Sequence, residues 1–421
     1  MSKDNKEGFT ELYIQQGYVT VMQKDSKRHV FTFEMNGQAI REVGLHNEKM
    51  VSSQGHALTQ QMLEYELSKL EWSMHKKDAD VYVKMKKPIV NKDMEECFLK
   101  AVSMVKGLGI DINIALSKQA ATVINDGVEK HKTMEHRLFS AWDRRAADSS
   151  QYLANVEKHG LESFEPWLGD TIEWIKQRRS LSKHIKNGEY DIVFAPGKGA
   201  IVLHEIVGHE LELRSSADTG IVHVGSHFPY KPCRDFTMFD SNHILVPGHD
   251  FDDEGTPVSD TVLVKNGKIM TPLSDKRTVL RSTGYALTGN ARRESYLHYP
   301  HPRAYRTYVQ NGSSTLSQAL GEIDYGFYVE EISYAFANRM DGSAYCCCSK
   351  ARIIKNGTLT DEPAIFQFKI SKSKPLVIRH ICDDLEFFPG GCNAVSGKLY
   401  VEFGSPSMSA ANVPLTHMLT R

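Results

Sequence analysis

The sequence predicts an α+β fold, with a mixed α/β N-terminal domain (residues 1–185) and a β-rich C-terminal domain (residues 186–421) that carries a single helical run. Three observations support this prediction. Near residue 185 the sequence changes from alternating strand-like and helical stretches to mostly strand-like ones. The second half contains two Asn-Gly dipeptides between alternating apolar residues, the strongest short-range signal of a β-hairpin. One apolar, helix-favouring run interrupts these strands.

The N-terminal domain contains both strand-like and helical periodicity. Residues 112–123 fit either one strand or a strand followed by a turn, and the sequence leaves that choice open. The strand-like segments are 18–22, 30–33 and 81–85, and the segments with helical spacing of apolar residues are 56–75, 94–108 and 146–184.

The C-terminal domain is predicted to be mostly strands. The two hairpins lie at residues 262–270 and 351–359, and a further strand covers residues 398–403. The helical run 200–213 follows a short apolar strand at 192–195. A single helix surrounded by sheet is a rigid support for a functional site.

Composition excludes several classes of function. A formal net charge of −1 with 24% charged residues gives no electrostatic signature of a nucleic-acid or membrane-surface partner. The longest apolar runs are far too short to cross a bilayer, and the first residues lack the apolar core of a signal peptide. Seven cysteines, three of them adjacent, do not resemble a disulfide framework. We therefore expect a reduced, cytoplasmic protein.

The segment His204-Glu-Ile-Val-Gly-His209 is the part of the chain that indicates a chemistry. Two histidines with a glutamate beside the first can hold Zn²⁺ and activate a water molecule. Their five-residue spacing would place the rings roughly 140° apart on a regular α-helix, too far for one ion. A π-type turn reduces the separation to roughly 50°. A metal site therefore requires an irregular helix between His204 and His209, with Gly208 as the place where it relaxes.

A catalytic zinc site usually has three protein ligands, so a third donor is needed. Cys392 lies in a glycine-rich segment that we interpret as a loop, and it is modestly favoured over Cys382. Cys346 to Cys348 lie in a predicted strand, where Cys346 and Cys348 share a face and serve equally well as small core residues. Two other histidine pairs are not favoured as metal ligands. Glycines near His223 and His227 argue against a helix, so we interpret these two as loop residues, whereas prolines make the stretch of His298 and His301 extended and irregular.

Several collinear blocks between residues 186 and 410 resemble the TldD/PmbA family, the "modulator of DNA gyrase" metallopeptidases. The blocks begin with 189–197, which runs into the histidine motif and Glu212, and they continue in the family's order. The further blocks are 252–257, 288–296, 302–303, 307–308, 383–386, 391–392 and 404–406.

The resemblance implies that His204, His209 and Cys392 bind Zn²⁺ and that Glu205 is the catalytic base. Because the chain keeps the histidine motif, it is similar to the catalytic TldD type rather than to the motif-less TldE/PmbA type. Such proteins form homodimers or heterodimers with a TldE/PmbA-like subunit and take unfolded peptides. The sequence departs from the family pattern in several features: among them, Glu210 replaces a small residue, the segment 214–230 differs, and the segment 389–392 is less regular. Three roles are open for Glu210: contact near the metal, contact with substrate or partner, and simple solvation.

The sequence thus predicts a zinc-dependent peptidase that hydrolyses unfolded or extended peptides. Arg292 and Arg293 are candidates for binding peptide carboxylates or carbonyls, and a structural ion pair is an equal alternative. Two other readings remain: a non-catalytic peptide-binding partner subunit of a TldD/TldE-like complex, and an enzyme that matures one precursor peptide.

Overall fold

The computed structural model describes thirteen segments of the chain, and the fold is given for these residues. The predicted helix 56–75, the predicted strand 81–85 and His223 lie outside them, as does most of the segment 214–230. The described residues are 8–24, 28–54, 92–125, 128–146, 151–155, 163–181, 185–213, 224–227, 230–233, 235–241, 250–282, 284–338 and 343–417.

The first part of the chain forms one seven-stranded sheet in which every neighbouring pair is antiparallel. Its strands are β1 (Gly8–Lys24), β2 (Arg28–Glu34), β3 (Gly37–Gly44), β4 (Glu48–Gln54), β5 (Ile110–Asn125), β6 (Val128–Asp143) and β7 (Gln151–Asn155). The strand order is β4-β3-β1-β5-β6-β7, and β2 pairs with β1. Residues 112–123, which the sequence allowed to be either one strand or a strand followed by a turn, form one continuous strand. Burial alternates along the first residues of β5, as expected for a strand.

Two helices cover one face of this sheet, α1 (Lys92–Met104) and α2 (Phe164–Arg179). Both pack their apolar residues into a shared core with β5 and β6. The predicted helix over 146–184 was too long, because residues 151–155 form strand β7 instead. Tyr152 is 4% exposed and pairs with Ala141, so sheet pairing outweighs the local helical pattern there.

The remaining described strands belong to three sheets. They are β8 (Gly188–Phe194), β9 (Thr237–Ser241), β10 (Thr261–Lys265), β11 (Lys268–Ile269), β12 (Ala291–Arg292), β13 (His301–Pro302), β14 (Arg306–Val309), β15 (Tyr325–Asn338), β16 (Ser343–Lys355), β17 (Thr358–Ile370), β18 (Val377–Ile381), β19 (Glu386–Ala394), β20 (Gly397–Ser405) and β21 (Met408–His417).

One six-stranded sheet has the order β17-β16-β15-β8-β21-β18, and an additional pairing of β17 with β21 closes five of its strands into a ring. The second has the order β11-β10-β9-β14-β20-β19, and β12 pairs with β13 separately. The α+β class is confirmed, and the domain boundary at residue 185 stays a prediction.

Both Asn-Gly hairpins are confirmed. Asn266 and Gly267 connect β10 to β11 with φ of 50° and 72°. Asn356 and Gly357 connect β16 to β17 with φ of 49° and 73°. Two successive positive φ angles define the type I′ turn, whose twist matches that of the flanking strands.

A short helical segment enters the core between the two six-stranded sheets. It begins as α3 (Gly199–Leu203), continues as a π-turn (His204–Gly208) and ends in a 3₁₀ turn (His209–Leu211). Its apolar residues share one core cluster with residues of both sheets. The other short helices are α4 (Lys276–Arg281) and α5 (Leu316–Gly321). Among the described residues, no helix is long and apolar enough to cross a membrane.

A buried ionic cluster joins the first sheet to later parts of the chain. Arg41 of β3 is fully buried, and its Nε lies 2.9 Å from Glu11 of β1. Arg41 also pairs with Glu254, and Glu11 pairs with Arg293. Because buried charges are tolerated only when paired, these contacts fix how the first sheet lies against residues 250–300.

Replacement of Arg41 by Met should lower the free energy of unfolding by about 3–5 kcal/mol, because it removes the buried cation that pairs with Glu254 and one of the two that pair with Glu11. Urea unfolding followed by circular dichroism measures the change. Lys92→Ala is the control, since its 3.8 Å pair with Glu96 is exposed and should change stability by less than about 0.5 kcal/mol. Equal stability of the Arg41 variant and the parent would show that the cluster does not stabilise the fold.

Candidate metal centre

The backbone between the two motif histidines is a π-turn. The His209 N–H donates to the His204 carbonyl, an i→i−5 hydrogen bond. This adds the one residue per turn that the five-residue spacing requires. The prediction of an irregular helix is confirmed, and the two imidazole rings lie 4.6 Å apart between centroids in an edge-to-face arrangement.

Gly208 is needed for space next to the first histidine. A Cβ atom at this position would lie 3.3 Å from His204 Nδ1, which is tighter than ordinary van der Waals contact. Glycine therefore allows the turn to close while the His204 ring stays in place.

Cys392 completes the group of donors. Its Sγ lies 3.3 Å from His204 Nε2 and 3.2 Å from His209 Nε2. Within the described part of the chain, these three residues form the one group of three or more His, Cys, Asp or Glu side chains whose ligand atoms all lie within 4.8 Å of one another.

The prediction that Cys392 lies in a loop was wrong. It lies in β19, paired with Leu399 of β20. The preceding Gly390 is explained by packing rather than by flexibility, since a Cβ there would lie 2.3 Å from a carbon of the Phe403 ring. A mid-strand position holds the thiol more rigidly than a loop would.

The other late cysteines lie elsewhere. Cys346 to Cys348 are buried in strand β16, as predicted, and Cys346 and Cys348 share a core that Cys347 does not. Cys382 is buried and its N–H donates to the Ser407 carbonyl. All seven cysteines are free thiols.

Each histidine presents its Nε2 atom to the centre because Nδ1 is engaged. His204 Nδ1 lies 3.1 Å from the Thr307 hydroxyl, and His209 Nδ1 lies 3.1 Å from Glu212 Oε2. Partners at Nδ1 fix the tautomer and the ring orientation of metal-binding histidines. The sequence alone assigned no role to Thr307 or Glu212. The position of Glu212, three residues after His209, was the one feature of the sequence that could have indicated its contact with that histidine.

Burial and neighbouring charges affect the two histidines differently. Burial, followed by the nearby His209 and Arg303, holds the pKa of His204 well below its usual value. Burial also lowers the pKa of His209, but Glu212 and Cys392 outweigh that effect and hold it well above the usual value. His204 is therefore a neutral nitrogen donor, and Glu212 supplies negative charge next to His209.

The donor set fits Zn²⁺. With zinc–nitrogen distances of about 2.0–2.1 Å and a zinc–sulfur distance of about 2.3 Å, tetrahedral angles require nitrogen–sulfur separations of about 3.5 Å. The observed separations of 3.2 and 3.3 Å are close to this requirement. Two imidazoles and one thiolate match the softness of zinc and leave a fourth position open.

Glu205 lies at the edge of this group. Its Oε2 is 3.9 Å from His209 Nε2, and its side chain is 12% exposed. Burial, followed by the charge of Glu205, raises the pKa of Cys346. A carboxylate near the donors, but not among them, is suitably located for proton transfer.

Arg292 and Arg293 are buried and engaged within the protein. Arg292 donates to the carbonyls of Ala304 and Tyr400 and lies over the Tyr305 ring, whereas Arg293 pairs with Glu11. Both also line a cavity of about 270 Å³, together with Gly390 and Gly391 of β19. The structure therefore gives both arginines intramolecular partners, and their role in substrate binding stays a prediction.

The remaining candidates have ordinary environments. His301 lies 2.8 Å from Arg277, and burial followed by Arg277 lowers its pKa to about 3. His298 lies 3.0 Å from the Ser295 hydroxyl. Glu210 is half-buried, and burial of Tyr230, followed by the charge of Glu210, raises the pKa of Tyr230. None of these side chains belongs to the group of donors found among the described residues.

Comparison with known proteins identifies relatives of both the sequence and the fold. A metalloprotease TldD homolog of Buchnera aphidicola (subsp. Acyrthosiphon pisum) is 30% identical over 243 residues, 56% of this chain and 49% of the relative. A zinc metalloprotease TldD homolog of Saccharolobus solfataricus is 30% identical over 190 residues, 43% of this chain and 38% of the relative. These matches thus span about half, or less, of the length of the curated relatives.

Among solved structures, TldE from Thermococcus kodakarensis is similar with a TM-score of 0.69 at 15% identity, covering 97% of this chain and 96% of that one. At this identity the likeness shows a shared fold. The family model for the PmbA/TldA metallopeptidase C-terminal domain matches residues 187–416, more than half of the chain, and this range includes His204, His209 and Cys392. The chain therefore belongs to the PmbA/TldD metallopeptidase family.

Proposed function

We propose that the chain is a zinc-dependent peptidase that hydrolyses unfolded or extended peptides. The observation that carries the proposal is the convergence of His204 Nε2, His209 Nε2 and Cys392 Sγ, with the Glu205 carboxylate beside them. The zinc relative from Saccharolobus solfataricus supports the choice of metal.

Each residue of the site has a distinct task in this reaction. His204, His209 and Cys392 would hold the ion. When bound, Zn²⁺ would supply Lewis acidity toward the scissile carbonyl and make a water molecule more acidic. Glu205 accepts the proton of the attacking water and delivers it to the leaving amine. Thr307 and Glu212 keep the two imidazoles turned toward the ion.

An extended peptide can bind along a sheet edge near the ion. Strand β19, which carries Cys392, is the last strand in the order of its sheet. A peptide that binds as an added strand is held by hydrogen bonds between its backbone and the backbone of the edge strand. Such bonds give affinity with little preference for the peptide's sequence. Arg292 and Arg293, which line the cavity next to β19, are the proposed contacts for peptide carboxylates or carbonyls. Processing of one precursor peptide is the narrower form of this proposal.

We further propose that the chain works in the cytoplasm as a dimer, either with itself or with a TldE/PmbA-like subunit. Free thiols at all seven cysteines support a reducing location. The likeness to TldE over 97% of the chain supports a partner of the same fold. Activity should therefore be measured with the chain alone and with such a subunit added.

Purified chain should contain about one zinc ion, and Cys392→Ala should lose it, because two histidines alone hold zinc weakly. Elemental analysis of the metal content is the measurement. Cys382→Ala is the control, since this buried cysteine lies outside the donor group and should leave the zinc content unchanged. Zinc retained by the Cys392 variant would exclude Cys392 as a ligand, and a zinc-free parent would favour a non-catalytic peptide-binding subunit.

Glu205→Gln should keep the zinc and lower kcat for peptide cleavage by about 10²–10⁴-fold, because the amide cannot accept the proton of water. Cleavage of an unfolded peptide panel, followed by mass spectrometry, measures the effect. Glu322→Gln is a control at an exposed glutamate outside the site. Full activity of the Glu205 variant would contradict the mechanism.

Removal of zinc by a chelator should abolish cleavage, and one equivalent of zinc should restore it, because the Lewis acid is required for attack on the amide carbonyl. The same peptide panel distinguishes a general peptidase from a precursor-specific one. Cleavage that persists in fully zinc-free protein would show that the peptidase does not depend on the ion.

A further inference from the structure

A fully buried arginine lies behind two of the three donors. Arg303 is 1% exposed and directly precedes the segment that leads into β14. Its Nη2 donates to the Cys392 carbonyl at 2.9 Å, and its Nε lies 3.5 Å from Glu212 Oε1. One guanidinium thus contacts the backbone of one donor residue and the carboxylate that orients another.

The contacts continue to the imidazole. The other oxygen of Glu212, Oε2, lies 3.1 Å from His209 Nδ1. The backbone at Glu212 is fixed as well, since it bridges to Leu273. His209, Glu212, Arg303 and Cys392 therefore form one continuous chain of polar contacts between a helical donor and a strand donor.

We propose that Arg303 is a positioning residue that sets the distance between His209 and Cys392 and thereby the affinity for zinc. This inference rests on the proposed function only in that the three donors bind zinc. Arg303 does not touch the ion or the substrate. It acts through Glu212 on one side and through the β19 backbone on the other.

The shape of the guanidinium suits this task. Its planar fork directs several N–H groups in fixed directions, so it can hold a carboxylate and a carbonyl at once. A lysine at the same position would keep the positive charge but could not maintain both contacts with the same geometry. The charge of Glu212 would remain compensated, whereas the distance between the two donors would no longer be fixed.

Arg303 has a second, separable set of contacts. Its Nη1 donates to the Ser396 hydroxyl at 2.9 Å, in the turn after β19, and to the carbonyl of Gly397, the first residue of β20, at 3.3 Å. These contacts support the hairpin and do not reach His209. A Ser396→Ala variant removes one of them and leaves the Glu212 and Cys392 contacts in place.

The test measures zinc affinity of the full chain by competition with a chromogenic chelator. Arg303→Lys and Glu212→Gln should each weaken zinc binding by about 10–100-fold, the usual effect of losing a residue that orients a metal ligand. The zinc affinity of the double variant should be close to that of the weaker-binding single variant. Both changes interrupt the same contact, between Arg303 and Glu212, so their effects should not add. In the Co²⁺-loaded chain, the visible absorption of the Arg303→Lys variant should shift, since Cys392 moves relative to His209.

Two controls separate positioning from general destabilisation. Ser396→Ala and Arg306→Lys should bind zinc like the parent. The second control changes a buried arginine that pairs with Glu402 and lies outside this chain of contacts. Thermal unfolding of each metal-free variant reports whether it remains folded, and Arg303→Gln provides a second folded variant if the lysine variant is unstable.

The outcomes distinguish the inference from the proposed function. Parent-like zinc affinity and an unchanged Co²⁺ spectrum in the Arg303 variants would overturn the positioning role while leaving the zinc site intact. Losses that multiply in the double variant would also overturn it, because they would show independent effects. A parent chain that binds no zinc would overturn the proposed function and this inference together.

Discussion

The candidate metal centre depends on one backbone hydrogen bond, from the His209 N–H to the His204 carbonyl. With a regular i→i−4 bond at this place, the two rings would point roughly 140° apart and could not share an ion. The wider turn brings both Nε2 atoms to the same thiol, at 3.3 and 3.2 Å. Such turns are frequent at functional sites, and here the surrounding core keeps the turn in place, since Ile206 and Val207 are buried on it.

One of the two six-stranded sheets, the one that contains β14, β20 and β19, supplies what the helix lacks. Strand β14 brings Thr307 to His204, and strand β19 brings Cys392 to both rings. Because all of these elements belong to one apolar core, a shift of either sheet would change distances at the centre. The site is therefore a property of the packing of the helical segment against this sheet as much as of the histidine motif. This arrangement agrees with the requirement that a metal site be held by rigid elements.

Local rules predicted the features that depend on neighbouring residues. The prediction of the two Asn-Gly hairpins was correct. A two-residue type I′ turn needs positive φ angles at both central residues, and Asn followed by Gly adopts them readily. The prediction of a π-turn was correct. At a five-residue spacing, a regular helix would point the two imidazole rings too far apart to share one ion. The helix over 146–184 was too long, because pairing of β7 with β6 overrides local periodicity. Cys392 was expected in a loop, because the sequence does not reveal that Gly390 is required by the Phe403 ring.

The sequence by itself determined the fold class, the motif histidines, the neighbouring Glu205 and the need for a widened turn between the histidines. These follow from spacing and from the chemistry of side chains close together in the chain. Only the tertiary structure brought Cys392 to the histidines, 183 positions from His209. It alone revealed the buried contacts of Arg303 with Cys392 and Glu212, which lie far from it in the chain. Distances between residues far apart in the chain are set by the packing of sheets, which local periodicity does not encode.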